Sequence, residues 1–482
     1  MSTGRTRSTI ASGHPVTTTA ARTVLEGGGN AFDAVVAAAF ASSVAEPMLT
    51  SMAGGGFCLV RTATGDAQLV DFFVDVPGTG DQAALDSALD RMVGIEVQFA
   101  STTQGFRVGW ASVATPGCLD GWLHLHRTRG SLPLADVLAP AVSAATDGVE
   151  VNDQQAYLFR ILSPTNRTDA ATAARFVPDG APLATGATFR QPDVADFLRA
   201  LGADEASTVA HLRRELAIAS AASGGVVNHQ DLSRHEVIER EPMRAEYRGA
   251  TVLTNPAPSL GGRLVAAQLA ALAEGPPLSG WDDPDGLRRI VDAQLAADRL
   301  RSPASTQGTT HISVADDEGN VATMTTSNGS GSGCTVPGTG ILANNMLGED
   351  DLFPSGPVGA RPGTRVPSMM SPTLVVEDDR VVMALGSGGS KRIRTAVAQV
   401  VARSVDHEPE LQRAVAGPRV HWDGERAQVE PGHPRLAVEA LAGRVPVHEW
   451  DEIDLYFGGV HAVQPGVGAA GDPRRGGSAV VF

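Results

Sequence analysis

The run Ala31–Glu46 is apolar on nearly every side of a helix, and it constrains the fold more than any other stretch of the chain. Asn30 is placed to cap it, Asp33 favours the positive helix start, and Pro47 stops it. A helix with no polar face has to be covered on both sides, so it must lie between layers of a large core. Its apolar stretch from Val35 to Val44 is broken by Ser42 and Ser43 and falls short of the roughly 20 residues a membrane span needs, so its cover is protein.

The neighbouring segments supply the layers. Gly54, Gly55 and Gly56 lead into an expected strand from Phe57 to Arg61, and a second runs from Ala67 to Phe73 after a turn at Thr64 and Gly65. Leu132 to Glu215 is helical in pattern, with breaks expected at Pro164, Pro178 and Pro182. Ala250 to Thr254 reads as a strand ended by Pro256 and Pro258, and Leu264 to Ala273 as a helix after the turn at Gly261 and Gly262. His311 to Ala315 and Val321 to Thr326 flank the turn cluster Asp316 to Asn320 and predict a hairpin. Leu374 to Val376, Val381 to Leu385 and Ser478 to Phe482 add strands, and Arg394 to Asp406 and Leu436 to Ala442 add helices. The class is α/β, or α+β, with much antiparallel pairing.

Composition removes several functions. The net charge is −16 and Lys391 is the one lysine, so no basic stripe exists to neutralise phosphates, and nucleic acid is excluded as a partner. Cys58, Cys118 and Cys334 are odd in number and lack CxxC spacing, which argues for reduced, buried thiols. Met1 to His14 is polar and carries no export signal, so a cytoplasmic protein without membrane partners is expected. Gly466 to Gly471 matches GxGxxG but has no room for a βαβ unit after it, and His124 and His126 fit a helix surface. No metal and no cofactor are predicted.

Arg301 to Gly308 shifts to Pro, Ser, Thr, Gln and Gly, the composition of an exposed and cleavable connector. The hairpin follows at once. Taking its turn centre between Glu318 and Gly319 sets Thr309 and Thr310 opposite Ser327 and Asn328. A threonine freed at a chain terminus carries a base in its own α-amine, whose ordinary pKa of about 7.7 to 8.0 leaves a useful neutral fraction. Gly308 can adopt the backbone geometry that attack on its own carbonyl demands. Gly388 and Gly389, in the run Gly386 to Ser390, can present bare N–H groups to a developing oxyanion. His311 shares a strand face with Thr309 but lacks a fitting acid partner, so its role is read as structural.

From His14 to Phe482 the chain resembles the γ-glutamyltranspeptidase family, which includes the cephalosporin acylases. The resemblance rests on ordered motifs: Gly28-Gly29-Asn30-Ala31, Gly54-Gly55-Gly56-Phe57, Thr115-Pro116-Gly117, Arg240-Glu241-Pro242, Pro256-Ala257-Pro258-Ser259, Thr309-Thr310-His311, Pro337 to Leu342 with Asn344-Asn345, Pro367 to Thr373, Gly386 to Ser390, and Asp472-Pro473-Arg474-Arg475. It implies a four-layer αββα sandwich of the N-terminal nucleophile hydrolase type. It also implies self-cleavage between Gly308 and Thr309 into a large-subunit region, 1–308, and a catalytic small-subunit region, 309–482. Both regions would build one core and stay associated, with a homodimer left open. By the same resemblance Ser327 assists the nucleophile, Asn328 binds substrate, Glu349 or Asp350 holds a substrate amine, and Ser368 binds a carboxylate.

Two positions depart from that family. Asp71-Phe72-Phe73 puts Phe73 at the substrate-binding position of an arginine that grips the donor carboxylate, and Ser368-Met369 replaces paired serines. A guanidinium–carboxylate contact of this kind contributes roughly 1.5 to 3 kcal/mol, so γ-glutamyl donors should bind roughly ten- to a hundredfold more weakly. The stretch from Leu352 to Val366 is also short for a lid, which predicts an open cleft. The expected function is γ-glutamyl transfer or hydrolysis of glutathione-type amides or related small peptides. The alternatives are an acylase for a non-glutamyl amide and an uncleaved, inactive binding protein on the same scaffold.

Overall fold

The computed structural model describes residues 7–98, 103–280, 283–300, 309–349, 352–353 and 357–482. Its centre is a pair of stacked antiparallel sheets. The first holds seven strands: β1 (Thr9–Ser12), β2 (Gly55–Arg61), β3 (Ala67–Phe72), β4 (Ile238–Arg240), β7 (Thr310–Ala315), β8 (Val321–Ser327) and β13 (Ser478–Val481), in the order β13-β1-β7-β8-β2-β3-β4. The second holds six: β5 (Met243–Tyr247), β6 (Ala250–Thr254), β9 (Thr373–Glu377), β10 (Arg380–Gly388), β11 (Gly459–Gln464) and β12 (Gly468–Ala470), in the order β12-β11-β10-β9-β6-β5.

Helices cover both outer faces. Helices α1 (Pro15–Glu26), α2 (Ala31–Ala45), α3 (Cys118–Arg129) and α4 (Leu134–Asp147) lie over the first sheet, and α6 (Gly261–Ala273), α7 (Pro284–Asp298) and α8 (Ile393–Asp406) over the second. This is the four-layer αββα sandwich. Strand alternation builds it: Cys58, Val60, Ile312, Val314 and Met324 face the cluster under α2, while Phe57 and Leu59 point to the second sheet. Every residue of α2 is buried, and its start carries the expected capping box between Asn30 and Asp33. Asp316 adds a second tie, its carboxylate accepting the N–H of Ala31 at 2.9 Å.

Two details differ from expectation. Pro164 lies in the first turn of the helix Ser163–Asn166 and Pro178 opens a 3-10 turn, so both begin helical segments, where a missing N–H leaves nothing unpaired. Pro140 sits inside α4. The hairpin is also one residue out of the expected register: Thr310 pairs with Thr326 and His311 with Thr325. The reason is the turn, where Asp316 N–H donates to the Asn320 carbonyl at 3.1 Å and the Asp316 side chain accepts from the N–H groups of Glu318 and Asn320. The turn is therefore centred on Glu318 alone.

Among the described residues no helix is long and apolar enough to cross a membrane, and no cluster of His, Cys, Asp and Glu could hold a metal ion. His124 instead meets Glu239 at 3.0 Å, and His126 meets the Leu132 carbonyl at 2.8 Å. The three cysteines are unpaired and buried.

Candidate active site

Thr309 precedes β7, and continuing the observed ladder by one residue sets it across from Ser327, with both side chains on the face toward the second sheet. Its hydroxyl oxygen is fully buried and has no hydrogen-bond partner among the described residues. A buried hydroxyl left unbonded is costly unless something else engages it. Gly308, the other side of the expected cleavage point, lies outside the described residues, as does Asp350.

The second sheet closes on Thr309 through the end of β10. A Cβ on Gly388 would stand 2.1 Å from the Thr309 carbonyl oxygen, so glycine is what permits the approach. Gly389 follows with φ +117°, a left-handed conformation that turns the chain after the strand. The Thr309 carbonyl also accepts a hydrogen bond from Arg475 Nη1 at 3.0 Å. Thr309, Gly388 and Gly389 are thus brought together from two sheets.

Ser327 ends β8 and Asn328 follows it. Ser327 Oγ accepts the Gly329 N–H at 2.9 Å. Asn328 donates from Nδ2 to the Pro47 carbonyl at 2.9 Å, while its Oδ1 is buried with no hydrogen-bond partner among the described residues. That oxygen is an acceptor waiting for a donor. Glu349 is buried beside this turn: Ser330 N–H donates to Asn345 Oδ1 at 2.8 Å and to Glu349 Oε1 at 3.2 Å.

Ser368 and Phe73 are engaged elsewhere. The Ser368 carbonyl takes the Ser259 hydroxyl at 2.7 Å and the N–H groups of Leu260 and Gly261, pinning the loop before α6, and its own Oγ accepts from Met370 N–H. Met369 is buried with Leu264 and Ala297. Phe73 stacks on Phe57 with centroids 5.4 Å apart, inside the core. Arg365 lies nearby, yet its guanidinium pairs with Asp71 at 3.0 Å and Asp75 at 2.9 Å, and Arg240 holds the other Asp71 oxygen at 2.8 Å. The segment expected to leave the cleft open is tied down where it is described, through Val366 N–H to the Val74 carbonyl and Gly363 N–H to the Val76 carbonyl.

Two residues at this site escaped the sequence reading. Glu46 closes α2, fully enclosed, and accepts from the Thr310 hydroxyl at 2.9 Å and the Thr17 hydroxyl at 3.4 Å. Burial pushes its carboxyl up to about 7, against the opposing pull of the Thr310 bond and the Arg475 charge. Arg475 is itself lowered to about 10 by burial and by Arg392. An acid ending a wholly apolar helix is the signal that marks Glu46; Arg475 lies within a quoted motif but without a role. His311 hydrogen-bonds Thr325, Ser313 and Thr323, and burial holds its imidazole well below its usual range, so it is neutral and fully engaged.

The profile of the family described as Gamma-glutamyltranspeptidase matches residues 17–302 and 289–482. The chain is 32% identical to the Acylase ACY 1 proenzyme of Pseudomonas sp. (strain V22), over 91% of its own length and 86% of the relative's. It is 29% identical to the Glutathione hydrolase proenzyme of Escherichia coli (strain K12), over 85% of its length and 80% of the relative's. Its fold matches the crystal structure of a cephalosporin acylase from Bacillus halodurans with a TM-score of 0.84 at 24% identity, covering 99% of this chain and 96% of that one.

Proposed function

The chain belongs to the gamma-glutamyltranspeptidase family, and on that premise we propose that it is an amide acylase that cuts itself before Thr309 and then carries the acyl group on the Thr309 oxygen. The observation behind this reading is the buried Thr309 hydroxyl, which has no hydrogen-bond partner among the described residues and is set between the Gly388 strand end and Ser327. That close relatives are named proenzymes supports processing of the chain.

The chemistry runs in two stages on one oxygen. In the intact chain Thr309 Oγ1 attacks the Gly308 carbonyl, the peptide becomes an ester, and water releases residues 1–308 as a carboxylate. The freed α-amine is the base for turnover. It takes the Oγ1 proton as Oγ1 attacks the substrate carbonyl. The oxyanion lies against the N–H groups of Gly388 and Gly389, and removing such a donor lowers kcat by roughly 10²–10³. The leaving amine departs with the proton. Water then splits the ester, or a second amine accepts the acyl group. Ser327 steadies the nucleophile, and Asn328 Oδ1 accepts a substrate N–H.

An acyl group other than γ-glutamyl is favoured by Phe73, since the two arginines described beside it, Arg365 and Arg240, are paired with Asp71. A γ-glutamyl donor is the second reading, favoured by the E. coli relative and by Asn328 Oδ1, which suits an ammonium. The experiment is intact-mass measurement of wild type beside Thr309→Ala. Wild type should give 1–308 and 309–482, and the variant one uncut, inactive chain. Turnover by an uncut chain would refute the mechanism, and a wild type that stays uncut and inactive would leave a binding role.

A further inference from the structure

A narrow cleft of about 40 Å³ with an open mouth shares Gly389 with the proposed oxyanion site, and the rest of its lining takes part in no step above. Its inner end is Gly389 and Arg475, and Ser330 borders it beyond Asn328. Its walls are mostly apolar, with Met48, Phe106, Leu158, Ile161, Leu162 and Leu455 among them, and Gln104 is a polar member. They come from the loop after α2, the hairpin Val93–Gln98 and Thr103–Val108, the helix α5 (Asp153–Ile161) with the residue after it, and the 3-10 turn Leu455–Phe457. Met48, Phe106 and Leu162 are buried in one cluster with Phe159, Phe176 and Phe189, so these walls are backed by packed aromatic rings.

The charged residues on this cleft are both arginines, and each already donates to main-chain carbonyls. Arg392 Nε donates to the Tyr456 carbonyl at 2.7 Å and its guanidinium lies 4.4 Å from the Tyr456 ring centroid. Arg475 donates to the carbonyls of Thr309 and Leu455. Among the described residues no carboxylate lines the cleft, so an α-ammonium finds no counter-ion there. Apolar walls reward the burial of apolar atoms and leave a zwitterion desolvated. The cleft joins Gly389, proposed above as an oxyanion donor, to Ser330 in the turn held by Asn345 and Glu349, so a group on the substrate's carbonyl carbon can extend into it.

Resting on the acylase reading, we propose that this cleft is the acyl subsite and that it selects a slender, uncharged, apolar acyl chain. The self-cleaved protein is assayed on p-nitroanilides of acetate, butanoate, hexanoate and octanoate, and on γ-glutamyl-p-nitroanilide. Each methylene buried in the cleft is expected to raise kcat/KM by up to about fourfold, and hexanoyl should exceed γ-glutamyl by roughly tenfold or more. Leu158→Glu is expected to flatten the series, and Phe106→Ala to shift its optimum to bulkier chains. A flat series in wild type, dependence on the amine in place of the acyl group, a best rate with γ-glutamyl, or no turnover of any member by self-cleaved protein would each overturn the proposal. Those results leave the fragment masses and the role of Thr309 standing. An uncut chain that still hydrolyses the series would sink the parent mechanism instead.

Discussion

A methyl group on Gly388 has nowhere to go, because it would stand 2.1 Å from the Thr309 carbonyl oxygen, a main-chain atom held in turn by Arg475. Gly388→Ala is therefore expected to push β10 off the nucleophile, slowing both self-cleavage and turnover by roughly 10² or more. Time courses of fragment appearance and of anilide hydrolysis check it, and wild-type rates would contradict the close approach. Glu46 makes a second prediction. Its carboxyl titrates at an ordinary 4.5 when unfolded and at about 7 when folded, because burial opposes its charge. Stability from this group is complete below the unfolded value and is lost as pH rises through the folded one. At about 1.4 kcal/mol per pH unit the loss is on the order of 3 kcal/mol. Denaturation midpoints at pH 5 and pH 8 should fall further in wild type than in Glu46→Gln, and equal falls would disprove it. The two kinds of residue differ in legibility. Thr309 and the glycines announce themselves by neighbours in sequence, whereas Glu46 meets Thr310 across 264 positions and Arg475 meets Thr309 across 166, distances no local pattern spans.

The hairpin that follows Thr309 and helix α2 position one another. Asp316 closes the turn of β7 and β8, and the same carboxylate accepts the first N–H of α2, whose other end places Glu46 under Thr310. Asn30 secures the start of that helix, accepting from Phe32 and Asp33 at 2.9 Å each. Asn30→Ala is expected to lower stability by about 1 kcal/mol. Thermal melts check it, and Asn30→Asp, which keeps the acceptor, should recover most of the loss; a silent alanine would show that packing alone holds α2. Such a helix is easy to read because cap, apolar run and Pro47 lie in one continuous stretch. The register of the hairpin was not, since the pairing turns on how the Asp316 side chain folds back on Glu318 and Asn320. Alternation fixes which faces a strand owns, but a side-chain bond inside the turn decides where the ladder starts.

Cleavage at Thr309 would not divide this molecule into two bodies, because the fragments are interleaved within single sheets. In the first sheet β7 and β8 lie between β1 and β2, and β13 covers the far edge of β1, so strands of 309–482 flank and separate strands of 1–308. In the second sheet β9 pairs with β6 along the same divide. Separating the fragments means breaking three ladders in one sheet and one in the other, together with the apolar cores on both sides, which is equivalent to unfolding. The self-cleaved protein should therefore elute as one species under native conditions and unfold in one cooperative transition, with both fragments released together. Size-exclusion chromatography followed by denaturing gels tests the first point and a thermal melt the second. Because the new terminus would open at Thr309 while Thr310 stays laddered to Thr326, cutting would free an amine at the proposed nucleophile without loosening the strand that carries it. Fragments that part in native buffer would show that the interleaved ladders do not hold the cleaved enzyme together.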